Sequence, residues 1–169
     1  MCIRDRIIQL TTRQVAQLAT AQIAALSTAQ LNAMELEDLA ALVGNQIAAL
    51  GTLQVSQLGL TQIDNLTTAQ VAALTSNQLV ALGTDQVRAI ATDDLQALKT
   101  SQVQALTTVQ LTALTIDQLQ NLTTAQLDAL SSAQAVSLTT DQIAALTTCL
   151  LYTSPSPRDR TRSRMPSSA

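Results

Sequence analysis

An uninterrupted eight-residue repeat runs through most of this 169-residue chain, and it constrains the fold more than any other feature. Leu occupies every eighth position from Leu10 to Leu146, except at Met34 and Ile90. We number the positions of this octad from zero, at the Leu, to seven. Because no insertion or deletion breaks the step, each octad is predicted to form one structural unit that repeats along the chain.

The other positions of the octad differ in how freely they vary. Position four is Gln in 15 of 17 octads, with Asp38 and Asp94 as the exceptions. Position five is aliphatic from Val15 to Ile143, with Ala135 as the one small residue, whereas position six accepts eight residue types. Position five is restricted to aliphatic side chains while the neighbouring position six varies freely, and this difference indicates a folded protein. The consensus is L-T-T-x-Q-[IVL]-x-A.

A single long helix does not fit this repeat, but a series of short helices does. Eight residues at about 100° each leave about 80° of drift per octad, so the Leu positions would spiral around one helix. In LTTAQVAAL, residues 66–74, Thr67 is predicted to be an N-cap that forms a capping box with Gln70. Leu66 and Val71 then form a hydrophobic staple across the helix start.

The same capping pattern recurs along the chain. Gly51, Gly59 and Gly83 replace the cap with a residue that is tolerated there. The regular Thr at position two leaves a helix start one residue later as an alternative. The predicted Thr/Gln and Ser/Gln boxes are Thr11/Gln14, Ser27/Gln30, Thr75/Gln78, Thr107/Gln110, Thr123/Gln126 and Thr139/Gln142.

One octad cannot be stable alone, because ordering its backbone costs more free energy than two buried aliphatic side chains and one cap offset. Octads must therefore stack, with small residues such as Ala73 letting backbones approach. The sequence predicts an all-α solenoid, a superhelix of short capped helices with one helix per octad, over residues 7–148. A β-solenoid is the alternative, since periodic Thr and β-branched residues suit stacked strands.

The composition offers little chemistry for a site. The chain has no His, Phe or Trp, and its formal net charge of −3 gives no basic excess for nucleic acid. No apolar run reaches the length of a membrane span. The carboxylates are interpreted as solvated or as replacing Gln. A calcium site is the alternative for Asp85, Asp93, Asp117 and Asp141, but these residues lack calcium-loop spacing and a Gly turn. The closest carboxylate groups are Glu35, Glu37 and Asp38, and Asp93 with Asp94. The sequence therefore predicts no catalytic, cofactor-binding or metal-binding residue, no cofactor, and no enzyme.

Both termini depart from the repeat in the same way. All three prolines, the lone Tyr152 and both cysteines, Cys2 and Cys149, lie outside residues 7–148. Back-translated, MCIRDR and CLLYTS resemble the two strands of a transposase mosaic end used in sequencing libraries, and PSPRD and SRMPSSA resemble adapter that follows it. The resemblance implies that residues 1–6 and 149–169 are adapter-derived, with the second segment disordered. It also removes Cys2, Cys149 and the RDRTRSR run as functional candidates, and leaves a natural fragment with a net charge of −7.

The repeat itself resembles a known type of sequence. LTTAQVAAL and LTTDQIAAL are similar to octapeptide stretches in very large, repetitive bacterial surface or secreted proteins of the adhesin type. The resemblance implies a non-catalytic spacer or interaction array from a larger protein, at the cell surface or outside the cell. The alternative is a ligand-binding module that presents the periodic Gln and Thr residues to a glycan, ice or a protein partner. No nucleic-acid partner and no membrane span are expected.

Overall fold

The computed structural model describes residues 11–153, with side chains from residue 11 to residue 146. Within this part of the chain the structure contains short helices and no strand, so the all-α prediction is confirmed and the β-solenoid alternative is wrong. Each octad begins one helix. In chain order the helices are α1 Thr12–Ala16, α2 Thr20–Ala24, α3 Thr28–Asn32, α4 Leu36–Ala40, α5 Gly44–Ala49, α6 Thr52–Ser56, α7 Leu60–Asp64, α8 Thr68–Ala73, α9 Ser76–Ala81, α10 Thr84–Ala89, α11 Thr92–Gln96, α12 Thr100–Ala105, α13 Thr108–Ala113, α14 Ile116–Gln120, α15 Thr124–Asp128, α16 Ser132–Ser137 and α17 Thr140–Thr153.

The helix starts lie where the octad predicts them. Thr67 is the N-cap of α8, with φ −72° and ψ 154°, and its hydroxyl accepts a hydrogen bond from the backbone N–H of Gln70. The Oε1 atom of Gln70 accepts the N–H of Thr67 at 2.8 Å, which completes the capping box. The alternative start, one residue later, is wrong. Where the N-cap has no hydroxyl, as at Ala19, Val43 and Lys99, only the Gln half of the box forms.

The octads wind into a superhelix with between three and four octads per turn. The closest helix pairs are three apart along the chain, for example α1 with α4, α5 with α8 and α14 with α17. Hydrogen bonds from the Gln side chains reach back 28 to 31 residues, to the junction between the helices three and four octads before. Each turn therefore packs directly on the preceding one, as in a solenoid.

Two columns of aliphatic side chains form one continuous core. Position-five residues such as Leu79 and Leu111 are completely buried, and position-zero residues from Met34 to Leu122 are 3–6 % exposed. Small position-seven residues allow close approach, as predicted. A Cβ atom added to Gly44 at the start of α5 would lie 3.1 Å from the Cβ of Ala73 at the end of α8.

The last helix differs from the others, because α17 continues through Leu146 to Thr153 instead of ending within its octad. Position four of the next octad is Leu150 and not Gln. No Gln is available there to cap a new helix, and continuing the existing helix satisfies the backbone N–H groups instead. Thus α17 crosses the boundary predicted at residue 148. Residues 1–10 and 154–169 lie outside the described part, so the adapter origin of 1–6 and 149–169 stays a prediction.

Candidate functional site: the glutamine row

The Gln side chains at position four form the most regular polar feature of the molecule. From the second turn onward each of them is buried, with 1–7 % exposure, and donates from Nε2 to backbone carbonyls of the preceding turn. In α9, for example, Gln78 donates to the carbonyls of Ile47 at 2.8 Å and Leu50 at 2.7 Å. We call this set the glutamine row. Its members are Gln46, Gln54, Gln62, Gln70, Gln78, Gln86, Gln102, Gln110, Gln118, Gln126, Gln134 and Gln142.

Each amide of the row performs two tasks that require different atoms. Oε1 accepts the N-cap N–H of its own octad, as from Thr75 to Gln78 at 2.7 Å. Nε2 donates to carbonyls near the C-terminal end of a helix in the preceding turn, as Gln78 does to Leu50 and to Ile47, whose carbonyl also accepts the N–H of Leu50. One side chain thus satisfies the start of one helix and the end of another, and it fixes the offset between turns.

The sequence predicted only one of the two kinds of hydrogen bond that the glutamine row makes. It assigned the Gln side chains to capping boxes, which is confirmed, but it missed the bonds between turns. The one available indication was that position four tolerates only Asp in place of Gln, although a Glu at N3 also completes a capping box. The amide N–H₂ group, which Glu and Asp both lack, explains why Gln fills 15 of the 17 positions, and Asp38 and Asp94 stand at the two that lack the donor.

The row has one interruption within the middle of the array. Asp94 replaces Gln in α11 and is 6 % exposed, and its carboxylate makes no hydrogen bond with any residue from 11 to 146. By register, the carbonyls facing it are those of Ile63 and Leu66, which receive no side-chain donor from the described residues. A carboxylate is shorter than the Gln side chain and only accepts hydrogen bonds, so it cannot replace the amide.

The remaining carboxylates do not gather into a site. Glu35, Glu37 and Asp93 are exposed, and Asp38 is buried at position four like Asp94. Among residues 11–146 no group of three or more His, Cys, Asp or Glu side chains is placed to hold a metal ion. The exposed acidic residues at helix starts, Asp85, Asp117 and Asp141, lie in the first turns of α10, α14 and α17. Negative charge is favourable there, because it faces the positive end of the helix dipole.

The periodic hydroxyls are divided between two environments. Those at position one are N-caps and bond to the row, as Thr107 does with the N–H of Gln110 at 3.2 Å. Those at position two, such as Thr68, Thr108 and Thr124, are exposed and make no hydrogen bond with other residues in the described range. Of the predicted Gln/Thr face, the structure therefore leaves mainly the Thr residues accessible along the array.

The repeat pattern also matches a known sequence family. The ALTTAQ repeat matches residues 31–68, 62–90, 87–124 and 117–148, which together cover well over half of the chain. The chain belongs to the ALTTAQ repeat family. The match confirms that residues 31–148 form a tandem repeat array. The letters TTAQ of its description correspond to the N-cap, the first helical residues and the row Gln, as in Thr67 to Gln70.

No curated protein and no solved structure matches the ALTTAQ array of this chain. Within the described range, none of the helices has the length and apolar character that crossing a membrane requires. The family match shows a repeat array and identifies no ligand.

Proposed function

We propose that this chain is a non-catalytic spacer array and a segment of a larger bacterial surface or secreted protein. The observation that carries the proposal is the use of the glutamine row. The most regular polar group of the repeat, buried in twelve octads, is bonded within the array by both of its amide atoms. Because both amide atoms of these Gln side chains bond within the array, a structural role is favoured over recognition of a ligand.

A spacer role also follows from how such an array lengthens. Each octad contacts only its own turn and the turns next to it, so further octads extend the superhelix without changing those already present. The aliphatic columns and the row continue from turn to turn, so the structure sets no upper limit on length. Large repetitive surface proteins need such a stalk to hold a domain away from the cell.

Small-angle X-ray scattering tests the spacer role directly. Deleting residues 67–98, which are four whole octads, should shorten the maximum dimension in proportion to the octads removed and leave the cross-section unchanged. Deleting residues 67–94 is the matched control, because it removes a similar length but breaks the octad step. The control should lose helical circular dichroism. A maximum dimension that does not depend on octad number would reject the spacer role.

The surface or secreted context needs a different experiment. Sequencing outward from the gene region, beyond residues 1–6 and 149–169, should reveal further octads together with a secretion signal or a surface anchor. The same reads would test the adapter origin of both segments. Continuation of the reading frame into a catalytic domain, with neither signal nor anchor, would contradict the proposed context.

The alternative proposal is a ligand-binding module for a glycan, ice or a protein partner. It is favoured by the exposed position-two hydroxyls, of which Thr68, Thr108 and Thr124 are free of hydrogen bonds to described residues. Replacing these three Thr residues by Val should abolish binding on a glycan array or inhibition of ice recrystallisation, with the helical content unchanged. Equal activity in the triple variant would reject a Thr-based surface.

A further inference from the structure

One face of the superhelix carries an exposed aliphatic side chain in each of several successive turns. Leu53 in α6, Val80 in α9 and Val109 in α13 are 68, 45 and 63 % exposed. Val136 in α16 holds the fourth place on this face, and the turn that would follow it lies outside the described residues. We call these four residues the exposed ridge.

The members of the exposed ridge stack because their separations match one turn of the superhelix. They follow one another at 27, 29 and 27 residues, whereas hydrogen bonds between adjacent turns join residues that are 25 to 31 apart. Helix α6 packs on α9, and α13 packs on α16. Between these two pairs, Nε2 of Gln110, the neighbour of Val109, donates to the carbonyl of Val80 at 3.3 Å. Since packed helices lie about 8–10 Å apart, the ridge is about 24–30 Å long.

The exposed ridge lies in a part of each turn that has no charged residue. The exposed residues near it are small or uncharged, such as Gly51, Asn77 and Thr112. Asp64 and Asp93 follow ridge residues by 11 and 13 residues, which is close to half a turn, so they lie towards the opposite side. Covering the ridge therefore requires no desolvation of a charge. The segments without Asp, Glu, Lys or Arg that contain its four members are 39–63, 65–84, 100–116 and 129–140.

We propose that the exposed ridge is a self-association surface, on which a second copy of this chain packs side by side in the antiparallel direction. A protein that covers the ridge must present apolar side chains at the same spacing, one per turn, and a second copy has them. The three separations read the same in both directions, so the two ridges match when the copies run in opposite directions. The contact is isologous, because both copies use the same patch.

The exposures along the ridge favour the antiparallel pairing over a parallel one. Leu53 and Val109 are at position three and are more exposed than Val80, which is at position six like Val136. Antiparallel copies place Leu53 opposite Val136 and Val80 opposite Val109, so each position-three side chain faces a position-six side chain. Parallel copies would press the protruding residues together and hold the two Val80 side chains apart, which lowers shape complementarity. The two-fold axis therefore passes between Val80 and Val109.

The size of the exposed ridge indicates a weak contact. A strip of this length that is one helix wide covers roughly 300 Å² per copy. Apolar patches of about this size mark interaction sites on protein surfaces, but a standard stable interface buries about 800 Å² per partner. We therefore expect a reversible dimer that forms as the concentration rises. The inference goes beyond the spacer role and does not rest on it.

Sedimentation equilibrium over a concentration series, with reductant present because of Cys2 and Cys149, tests the inference on the full chain. The mass of the wild type should rise from that of a monomer towards that of a dimer, because an isologous contact closes on itself. Val109→Asp should weaken association by more than about tenfold, since it places a carboxylate against Val80 of the other copy. Circular dichroism should show unchanged helix, because the side chain of Val109 is exposed.

The matched control is Ile116→Asp, which adds the same charge at an aliphatic residue that is 45 % exposed but lies off the ridge, beside Asp117. This variant should associate like the wild type. A wild type that stays monomeric would overturn the proposal, and binding of phosphatidylcholine vesicles by that monomer would assign the ridge to a lipid surface instead. Equal weakening by Val109→Asp and Ile116→Asp would also overturn it.

Disulfide cross-linking tests the direction of the pairing. In a background with Cys2→Ser and Cys149→Ser, a mixture of the single variants Leu53→Cys and Val136→Cys should form linked heterodimers under mild oxidation. The heterodimers should form faster than the homodimers of either variant alone, because only the antiparallel contact brings these two residues together. Homodimers that form as fast as the heterodimer would contradict the antiparallel ridge contact.

Discussion

The Nε2 atom of Gln70 lies 2.7 Å from the carbonyl oxygen of Leu42, which precedes it by 28 residues. The same side chain accepts the N–H of Thr67 on its other amide atom. Local helix initiation and the stacking of turns are therefore linked through one functional group. A change at position four should affect both, and a change that spares one of the two amide atoms should separate them.

Replacing a buried row amide by a carboxylate is expected to destabilise the array strongly. Gln110 donates to the carbonyls of Leu79 and Leu82 at 2.8 and 2.7 Å. Gln110→Glu keeps the acceptor for the N–H of Thr107 but removes the donor. It should lower the free energy of unfolding by at least about 2 kcal/mol in urea titrations, since a buried carboxylate oxygen then faces two carbonyl oxygens with no hydrogen between them.

The matched control for that variant is Gln22→Glu. Gln22 makes the same capping bond, from the N–H of Ala19 at 2.8 Å, but its Nε2 has no carbonyl partner among the described residues. The change should stay within about 0.5 kcal/mol. Equal losses in both variants would show that capping, and not the bond between turns, gives position four its importance.

Restoring the row at its interruption is expected to stabilise the protein. Asp94→Gln places an amide where the carbonyls of Ile63 and Leu66 lack a side-chain donor among the described residues. The free energy of unfolding should rise by about 1–2 kcal/mol. Asp93→Asn, at the exposed neighbouring residue, removes the same charge and should change it little. No gain in Asp94→Gln would mean that the row tolerates a gap at no cost.

A hydroxyl at a glycine N-cap is expected to give a smaller gain. Gly83 has φ −71° and ψ 162°, close to the values at Thr67, and an added Cβ would lie 3.7 Å from Oε1 of Gln86 without a clash. Gly83→Thr should raise the free energy of unfolding by about 0.5–1 kcal/mol, through a new cap bond and a less flexible unfolded chain. Gly83→Ala separates the two effects, because it stiffens the unfolded chain without adding the hydroxyl. A loss of stability in Gly83→Thr would contradict the cap geometry.

The same substitution should destabilise the protein to very different extents at two positions of the aliphatic column. Ile47 is 1 % exposed in the second turn, whereas Ile143 is 45 % exposed in the last one. Ile47→Ala should cost about 2–5 kcal/mol, because it leaves a cavity between packed turns. Ile143→Ala should cost much less, since no described turn follows it. Thermal denaturation monitored by circular dichroism would compare the two, and similar shifts in melting temperature would contradict the described packing.

The octad pattern was sufficient to predict each helix but not the way helices stack. Thr67, Gln70 and Val71 lie within one helical turn, so the cap, the N3 bond and the buried face could all be inferred from neighbouring residues. The partner of Gln70 in the preceding turn could not. Every octad offers nearly the same side chains, so offsets of two, three or four octads are equally compatible with the sequence. Backbone geometry selects among them, and that geometry leaves no trace in the residue pattern.

Every amide of the glutamine row donates to a turn that lies earlier in the chain, so the order of the bonds between turns matches the order of synthesis. A chain emerges from the ribosome N-terminus first, so each new octad meets carbonyls that are already in place one turn behind it. The helix starts of a completed turn need no donor or acceptor from a later turn, because each Gln amide caps the helix of its own octad. The array can therefore fold sequentially during synthesis, with each new octad packing on the turn that precedes it.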